Sequence, residues 1–323
     1  MAKLVLIDGN AILHRAFHAL PPLTTKRGEP INAVYGLVSM LLRVIGDLKP
    51  THIAVCFDEK EPTFRHKAFA PYQAQRPRMA DELSGQFEKA RKFLEAAAIP
   101  VYSKSGYEAD DVIGTLAEQA LRGKKVKESK GKNKNTFTLS PPRHFTLVDE
   151  VVIVTGDRDI LQLVDERVKV YMPIAGLATA KLMGEAEVIE KMGIPPSQID
   201  DYKAFVGDSS DNYPGVPGIG PKTAINLLKR FGTLKGIYDS LEDIGGSVAV
   251  KLKDGKEEAK LSKKLATIVR TVPIEIDMEK ASKWDVDSQK VLDLFSEFGF
   301  KTLTERVKKI GKELDSEKQL TLI

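Results

Sequence analysis

Three short apolar runs of β-forming residues end in aspartate: "KLVLID" at Asp8, "THIAVCFD" at Asp58, and "EVVIVTGDRD" at Asp157 and Asp159. Stretches with helical spacing of apolar residues lie between them. This alternation predicts an α/β fold with a mostly parallel central sheet and helices on its faces. Ligands of such sheets bind outside the carboxyl ends of the strands. A core strand has no structural need for a terminal acid. Turns favour Asp, so one such residue is unremarkable, but three strands doing the same point to a shared acidic edge.

The intervening helices are legible by period. One is expected over Asn32–Leu48, closed by Pro50, and another over Asp81–Ala98, with Leu83, Phe87, Ala90, Phe93, Leu94 and Ala97 as its apolar stripe and Pro100 beyond its end. After "IPVY" comes "GYEADDVIG", in which Glu108, Asp110 and Asp111 open a helix running to about Leu121. Acids in a first helical turn complement the helix dipole and need no other purpose. They would also face the strand-end aspartates across one crevice, where seven carboxylates could not stay ionised without cations. "ILQLV" reads as helical, "RVKVY" closes the first half as a strand, and the chain reads as helical from Pro195 onward.

The 323 residues carry 49 Lys or Arg against 45 Asp or Glu, a net charge of only +4. Setting aside nine acids assigned to metal leaves 36 against the same 49 bases, or +13 over the remaining surface. A basic exterior around an acidic pocket suits a polyanion that must approach metal ions. From Arg122 to His144 eight bases accompany one acid among Gly, Asn, Ser and Pro, so residues 123–144 read as a solvated basic insertion. The lone cysteine, Cys56, lies in an apolar run and reads as a buried small hydrophobe, which excludes an internal disulfide or a thiolate cluster. No long charge-free apolar stretch or signal-peptide pattern is present, so the expectation is a cytoplasmic protein without membrane contact.

The second half adds Asp208 and Asp211, three apart at the end of a helical run, and then "GVPGIGPKTA" leading into "INLLKRFG". Gly215, Gly218 and Gly220 allow close backbone approach, Pro221 suits a first helical position, and Lys222 and Thr223 stand beside them. Such a helix-hairpin-helix grips a phosphate without reading bases. A plain helical hairpin with a Gly/Pro connection is the alternative.

Taken in order, "LIDGN", "VCFDEKEPTFRH", "YQAQRP", "GYEADDVIG", "VTGDRDILQLV", "VGDSSDNYPGVPGIGPKTA" and "LLKRFG" resemble the 5′-nucleases of the flap endonuclease family, most nearly the 5′-to-3′ exonuclease domain of bacterial DNA polymerase I. The resemblance implies a PIN-like core over 1–175 with a helical arch at about 63–98, a helical region over 176–310, and a tail over 311–323. It implies Mg²⁺ or Mn²⁺ held by Asp8, Asp58, Glu108, Asp110, Asp111, Asp157, Asp159, Asp208 and Asp211, and K⁺ at the hairpin carbonyls. Oxygen ligands without a His or Cys cluster agree with hard cations independently. Phe64, Arg65, His66, Tyr72 and Arg76 match the arch, Arg65 and His66 being expected to contact DNA. Arg76 is the expected phosphate clamp, with Lys89 or Arg91 adding charge. The family reads Tyr-Lys-Ala-Asn-Arg where this chain has "YQAQR", so Gln73 replaces a lysine.

The implied reaction is two-metal hydrolysis of a phosphodiester in 5′-flap, nicked or 5′-ended DNA, RNA primers included, with ions about 3.5–4 Å apart. The rivals are a structure-specific DNA-binding protein weakened in catalysis and a related ribonuclease. Gln319, Leu320, Leu322 and Ile323 in "QLTLI" resemble a sliding-clamp docking peptide, with a frayed apolar tail as the alternative. No polymerase or proofreading domain follows, so the chain reads as a stand-alone nuclease or as a piece of a longer polymerase.

Overall fold

The computed structural model describes residues 1–122, 148–176 and 179–321; the basic stretch 123–144 and the tail residues Leu322 and Ile323 lie outside them. The strands are β1 (Lys3–Asp8), β2 (His52–Cys56), β3 (Val101–Tyr102), β4 (Glu150–Val154), β5 (Val168–Ala175) and β6 (Thr179–Met183). They form one sheet in the order β3-β2-β1-β4-β5-β6, parallel from β3 through β5. Among the described strands only β6 is antiparallel. Strand order reverses between β1 and β4, so Asp8 at the end of β1 and Thr155 just after β4 flank the crevice where such sheets bind ligands.

Both faces of the sheet are covered, which is why β2 and β4 read as nearly unbroken apolar runs. Alternation divides the strands between two cores. Leu4, Leu6, Cys56, Val151 and Ile153 pack with α5 (Ala109–Arg122) and the C-terminal helices around the hairpin. Val5, Ile7, Val55, Val152 and Val154 pack with α1 (Gly9–Ala19), α2 (Asn32–Leu48) and α4 (Asp81–Ala96). Phe295, Phe298, Leu303 and Val307, on the last two helices, return across the chain to complete this second core.

Four features depart from expectation. The turn expected at Asp8, Gly9 and Asn10 is a helix start: Asp8 Oδ1 accepts the Ala11 amide at 2.9 Å as the N-cap of α1. The helical "ILQLV" is a 3₁₀ turn, Asp159–Leu163. The sheet also runs past the boundary expected at 175, because β5 turns back into β6, an edge strand with only Met183 buried and hence little hydrophobic pattern to read. The boundary expected at 310 falls inside the last helix, Lys301–Thr321, which carries Gln319 and Leu320. Among the described residues no helix is long and apolar enough to cross a membrane.

Four shorter helices complete the surroundings of the site: α3 (Phe64–Ala68), α6 (Glu185–Met192), α7 (Ile199–Val206) and α8 (Pro221–Phe231). The hairpin itself joins α7 to α8. Gly207 and Gly215 cross there in left-handed backbone, with φ of 71° and 65°, and a Cβ on Gly215 would stand 2.3 Å from the Gly207 nitrogen. Only glycine satisfies both the sign of φ and that contact.

Candidate active site

Seven of the nine expected acids line one cleft of about 1540 Å³: Asp8, Asp58, Glu108, Asp110, Asp157, Asp159 and Asp211. Each is placed by an element end. Asp8 is held by the Ala11 amide and, on Oδ2, by the Thr155 hydroxyl at 2.8 Å. The Ala109 amide, in the first turn of α5, donates to Asp58 Oδ1 at 2.7 Å, while the Asn10 side chain accepts from the Asp58 amide at 3.0 Å. Strand ends β1 and β2 are thus tied to the starts of α1 and α5, bringing Asp8, Asp58 and Asp110 to the same edge.

Charge accumulates because burial removes solvent while the acids face one another. Burial, with Asp58 and Asp157 nearby, raises Asp8. Glu108 is raised from its ordinary 4.5 to about 7 by burial and by Asp111, Asp58 and Asp211, against the lowering influence of Arg65. Asp110 is pushed well above the carboxylate range by burial, then by Asp157 and Asp8. Among the described residues Asp8, Asp58, Asp110 and Asp157 form no ion pair. Oxygen-only donors, crowded and lacking internal cations, fit divalent metal.

A stability consequence follows with a definite sign. Raised carboxylates bind more protons in the folded than in the unfolded chain, so their stabilisation is complete at acid pH and is lost as pH climbs. For Glu108 the window runs from 4.5 to about 7. The metal-free protein is therefore expected to lose thermal stability between pH 5 and about 8. Saturating Mg²⁺ should flatten that slope, as EDTA and Mg²⁺ melting curves across the range will show.

Asp159, Asp208 and Asp211 form the second cluster, with carboxylate oxygens all within 4.8 Å of one another. Asp211 accepts from Tyr72 Oη at 3.0 Å, Gln73 Nε2 at 3.2 Å and Arg76 Nη2 at 2.5 Å, so the arch segment closes over this cluster. His66 accepts from the Thr63 amide through Nδ1 at 3.3 Å and sets its ring edge against Tyr72. Burial and the nearby Arg76 and Arg65 lower its pKa, keeping the ring neutral near pH 7. Arg91 lines the cleft over the Phe57 ring at 4.5 Å.

Four expected roles do not match this geometry. Arg65 is 2% exposed: Nη1 and Nη2 pair with Asp111 at 2.6 and 2.9 Å, Nε donates to the Leu265 carbonyl at 2.8 Å, and Nη2 to that of Thr267 at 3.0 Å. Its donors are consumed inside the protein, so it does not contact DNA in this arrangement. Asp111, 0% exposed, also accepts the Val269 and Glu108 amides and is absent from the cleft wall, so it holds Arg65 rather than presenting itself to metal. Lys89 pairs with Glu29 at 3.4 Å, away from the cleft. Gly215 is buried behind the hairpin, whereas Gly218, Gly220 and Lys222 are exposed at its tip and Thr223 is half-buried.

Residues 3–130 match the 5′-3′ exonuclease N-terminal resolvase-like domain, and residues 194–289 the 5′-3′ exonuclease C-terminal domain. The chain belongs to the 5′-3′ exonuclease family. Among curated relatives of this exonuclease-family chain, DNA polymerase I of Bacillus caldotenax is 40% identical over 312 residues, covering 96% of this chain and 33% of the relative. DNA polymerase I of Bacillus subtilis is 38% identical over 319 residues, covering 98% and 34%. The chain thus spans about a third of the length of these relatives. Its fold is shared with the T5 5′-exonuclease bound to zinc, at TM-score 0.62, 20% identity and coverage of 96% and 98%. The catalytic core of Rad2 in complex with DNA substrate matches at TM-score 0.56, 15% identity and coverage of 96% and 91%.

Sequence reasoning missed three contributors in this exonuclease-family site. Thr155 and Asn10 orient Asp8 and Asp58, and Lys203 on α7 contacts both Asp159 and Asp208. A lysine five positions before Asp208 in an ordinary helical run carries no motif that would have marked it.

Proposed function

We propose that this chain hydrolyses phosphodiester bonds in DNA as a structure-specific 5′-3′ exonuclease and 5′-flap endonuclease, with 5′ flaps, nicks, 5′ ends and RNA primers as substrates. The observation that carries this reading is the convergence of seven carboxylates on one cleft beneath Tyr72 and Arg76 of the arch. Mg²⁺ or Mn²⁺ held by Asp8, Asp58, Glu108, Asp110 and Asp157, and by Asp159, Asp208 and Asp211, would supply Lewis acidity for water and phosphate. The chain's own groups do the rest. Arg76, with a 52% exposed side chain, turns from Asp211 to a phosphate, Arg91 adds positive charge at the mouth, and neutral His66 offers a ring N–H. At the hairpin Gly218, Gly220 and Lys222 grip a duplex phosphate. A K⁺ ion there would share the Gly218 carbonyl with Lys251, whose Nζ reaches it at 3.3 Å. Partner and place follow from the same reading: a nucleoid-associated monomer, with Gln319, Leu320, Leu322 and Ile323 docking on a sliding clamp.

The test is a 5′-labelled flap duplex with Mg²⁺. Metal-dependent products are expected, their lengths giving the balance of flap and exonucleolytic cutting, and EDTA should abolish them. Swapping the flap strand from DNA to RNA addresses the ribonuclease reading. Gln73 favours the binding-protein reading specifically, since its neutral amide sits on Asp211 where the family places a lysine. Tight flap binding with no product at any Mg²⁺ concentration would establish that reading instead.

A further inference from the structure

The two halves of the acidic site are balanced differently. Asp8, Asp58, Asp110 and Asp157 have no ion pair among the described residues, whereas the outer cluster carries its own cations. Lys203 Nζ contacts Asp159 and lies 2.5 Å from Asp208 Oδ2, with only 12% of its side chain exposed. Arg76 covers Asp211. Asp208 is otherwise committed to its own loop, Oδ1 accepting the Ser210 amide at 2.7 Å and hydroxyl at 2.5 Å, which leaves Oδ2 to the lysine.

A second observation points to a ligand at this place. Tyr213 is 3% exposed and its buried hydroxyl has no hydrogen-bond partner. The charges it feels are those of Lys203, Asp159, Asp208 and Asp211. Buried hydroxyls are nearly always paired, so an orphan beside three carboxylates marks room for a polar group that the folded chain does not itself provide.

We propose that Lys203 is a resident counter-ion of the outer acidic cluster, holding Asp159 of the sheet domain to Asp208 of the hairpin loop, and that a divalent cation binding there competes directly with its ammonium. The inference rests on the metal-dependent reading above and adds a positioning role for this chain's own lysine. With Lys203 in place the outer group attracts a second divalent ion weakly, while the inner acids, having no such competitor, bind first. The ion pair also spans the two halves, so displacing Lys203 loosens their connection as the ion enters.

Mn²⁺ titrations of the full chain without DNA, following free Mn²⁺ by electron paramagnetic resonance, test this directly. Wild type is expected to bind one ion more tightly than the next. Lys203→Met should tighten the weaker ion at least about tenfold and leave the tighter one unchanged, because one opposing charge a few ångströms away is gone. Lys203→Arg, keeping the charge, should behave as wild type. Melting curves at saturating Mn²⁺ confirm that each variant is folded, and a Lys203→Met chain that does not fold hands the measurement to Lys203→Gln. An unchanged or weakened second ion in the neutral variants overturns the role of Lys203 while leaving metal binding intact. No Mn²⁺ bound by any of them overturns the metal-dependent reading itself.

Discussion

Asp110→Asn is expected to abolish flap cutting while making the metal-free protein more stable. Asp110 stands in the first turn of α5 with Asp157, Asp8, Glu108 and Asp159 around it, and burial plus these neighbours drive its pKa well above normal. Asn has nearly the same shape without the charge. Removing one carboxylate from a metal-holding set should lower kcat by about a hundred- to thousandfold or more, the scale of losing one preorganised electrostatic group. The same replacement relieves repulsion among the remaining acids. In EDTA near pH 8 the thermal midpoint should therefore rise by about 2 °C or more. The two measurements moving in opposite directions is the signature of strain held for function. Cutting within threefold of wild type would remove Asp110 from the metal set.

Arg65→Met is expected to be the most damaging single change to stability. Its guanidinium joins α3 to Asp111 of α5 and to the Leu265 and Thr267 carbonyls, and the side chain is 3% exposed. Methionine leaves Asp111, 0% exposed, without its cation, and breaking a buried pair in this way costs about 3–5 kcal/mol. Asp111→Asn in the same chain should recover much of that loss, because an amide without its ionic partner is far cheaper to bury. Urea midpoints of the single and double variants measure both quantities. If Arg65 instead gripped DNA, Arg65→Met would keep the wild-type midpoint and only weaken flap binding, so one denaturation curve separates the roles.

The stretch "GYEADDVIG" shows how far residue reading reaches. Its three acids, open in the sequence to a helix-start or a metal-ligand reading, face different ways in the fold. Glu108 and Asp110 face the cleft, while Asp111 turns inward to Arg65 and the Val269 amide. Adjacent residues on a helix point about 100° apart, and which of them meets the cleft depends on what packs against the other side. In the arch, Arg65 and His66 are neighbours in sequence and both border the cleft, yet Arg65 is buried with its guanidinium turned to Asp111 while His66 is half-buried. Their motif is a single string, and nothing local distinguishes a buried guanidinium from an exposed one.

The amino-acid sequence by itself determined the parallel sheet, its acid-tipped strands, the long amphipathic helices and the glycine pattern of the hairpin. These are local or periodic properties: apolar alternation and residue-specific backbone limits act over a few positions, whatever the rest of the chain does. Only the tertiary structure decided that β6 extends the sheet, that Phe295 and Phe298 return to the second core, and that Lys203 sits between Asp159 and Asp208. The last two depend on contacts between residues far apart in the chain, and β6 is an edge strand whose single buried residue leaves no pattern to read. Burial and charge pairing are set by which surfaces meet, a quantity that no window of neighbouring residues contains.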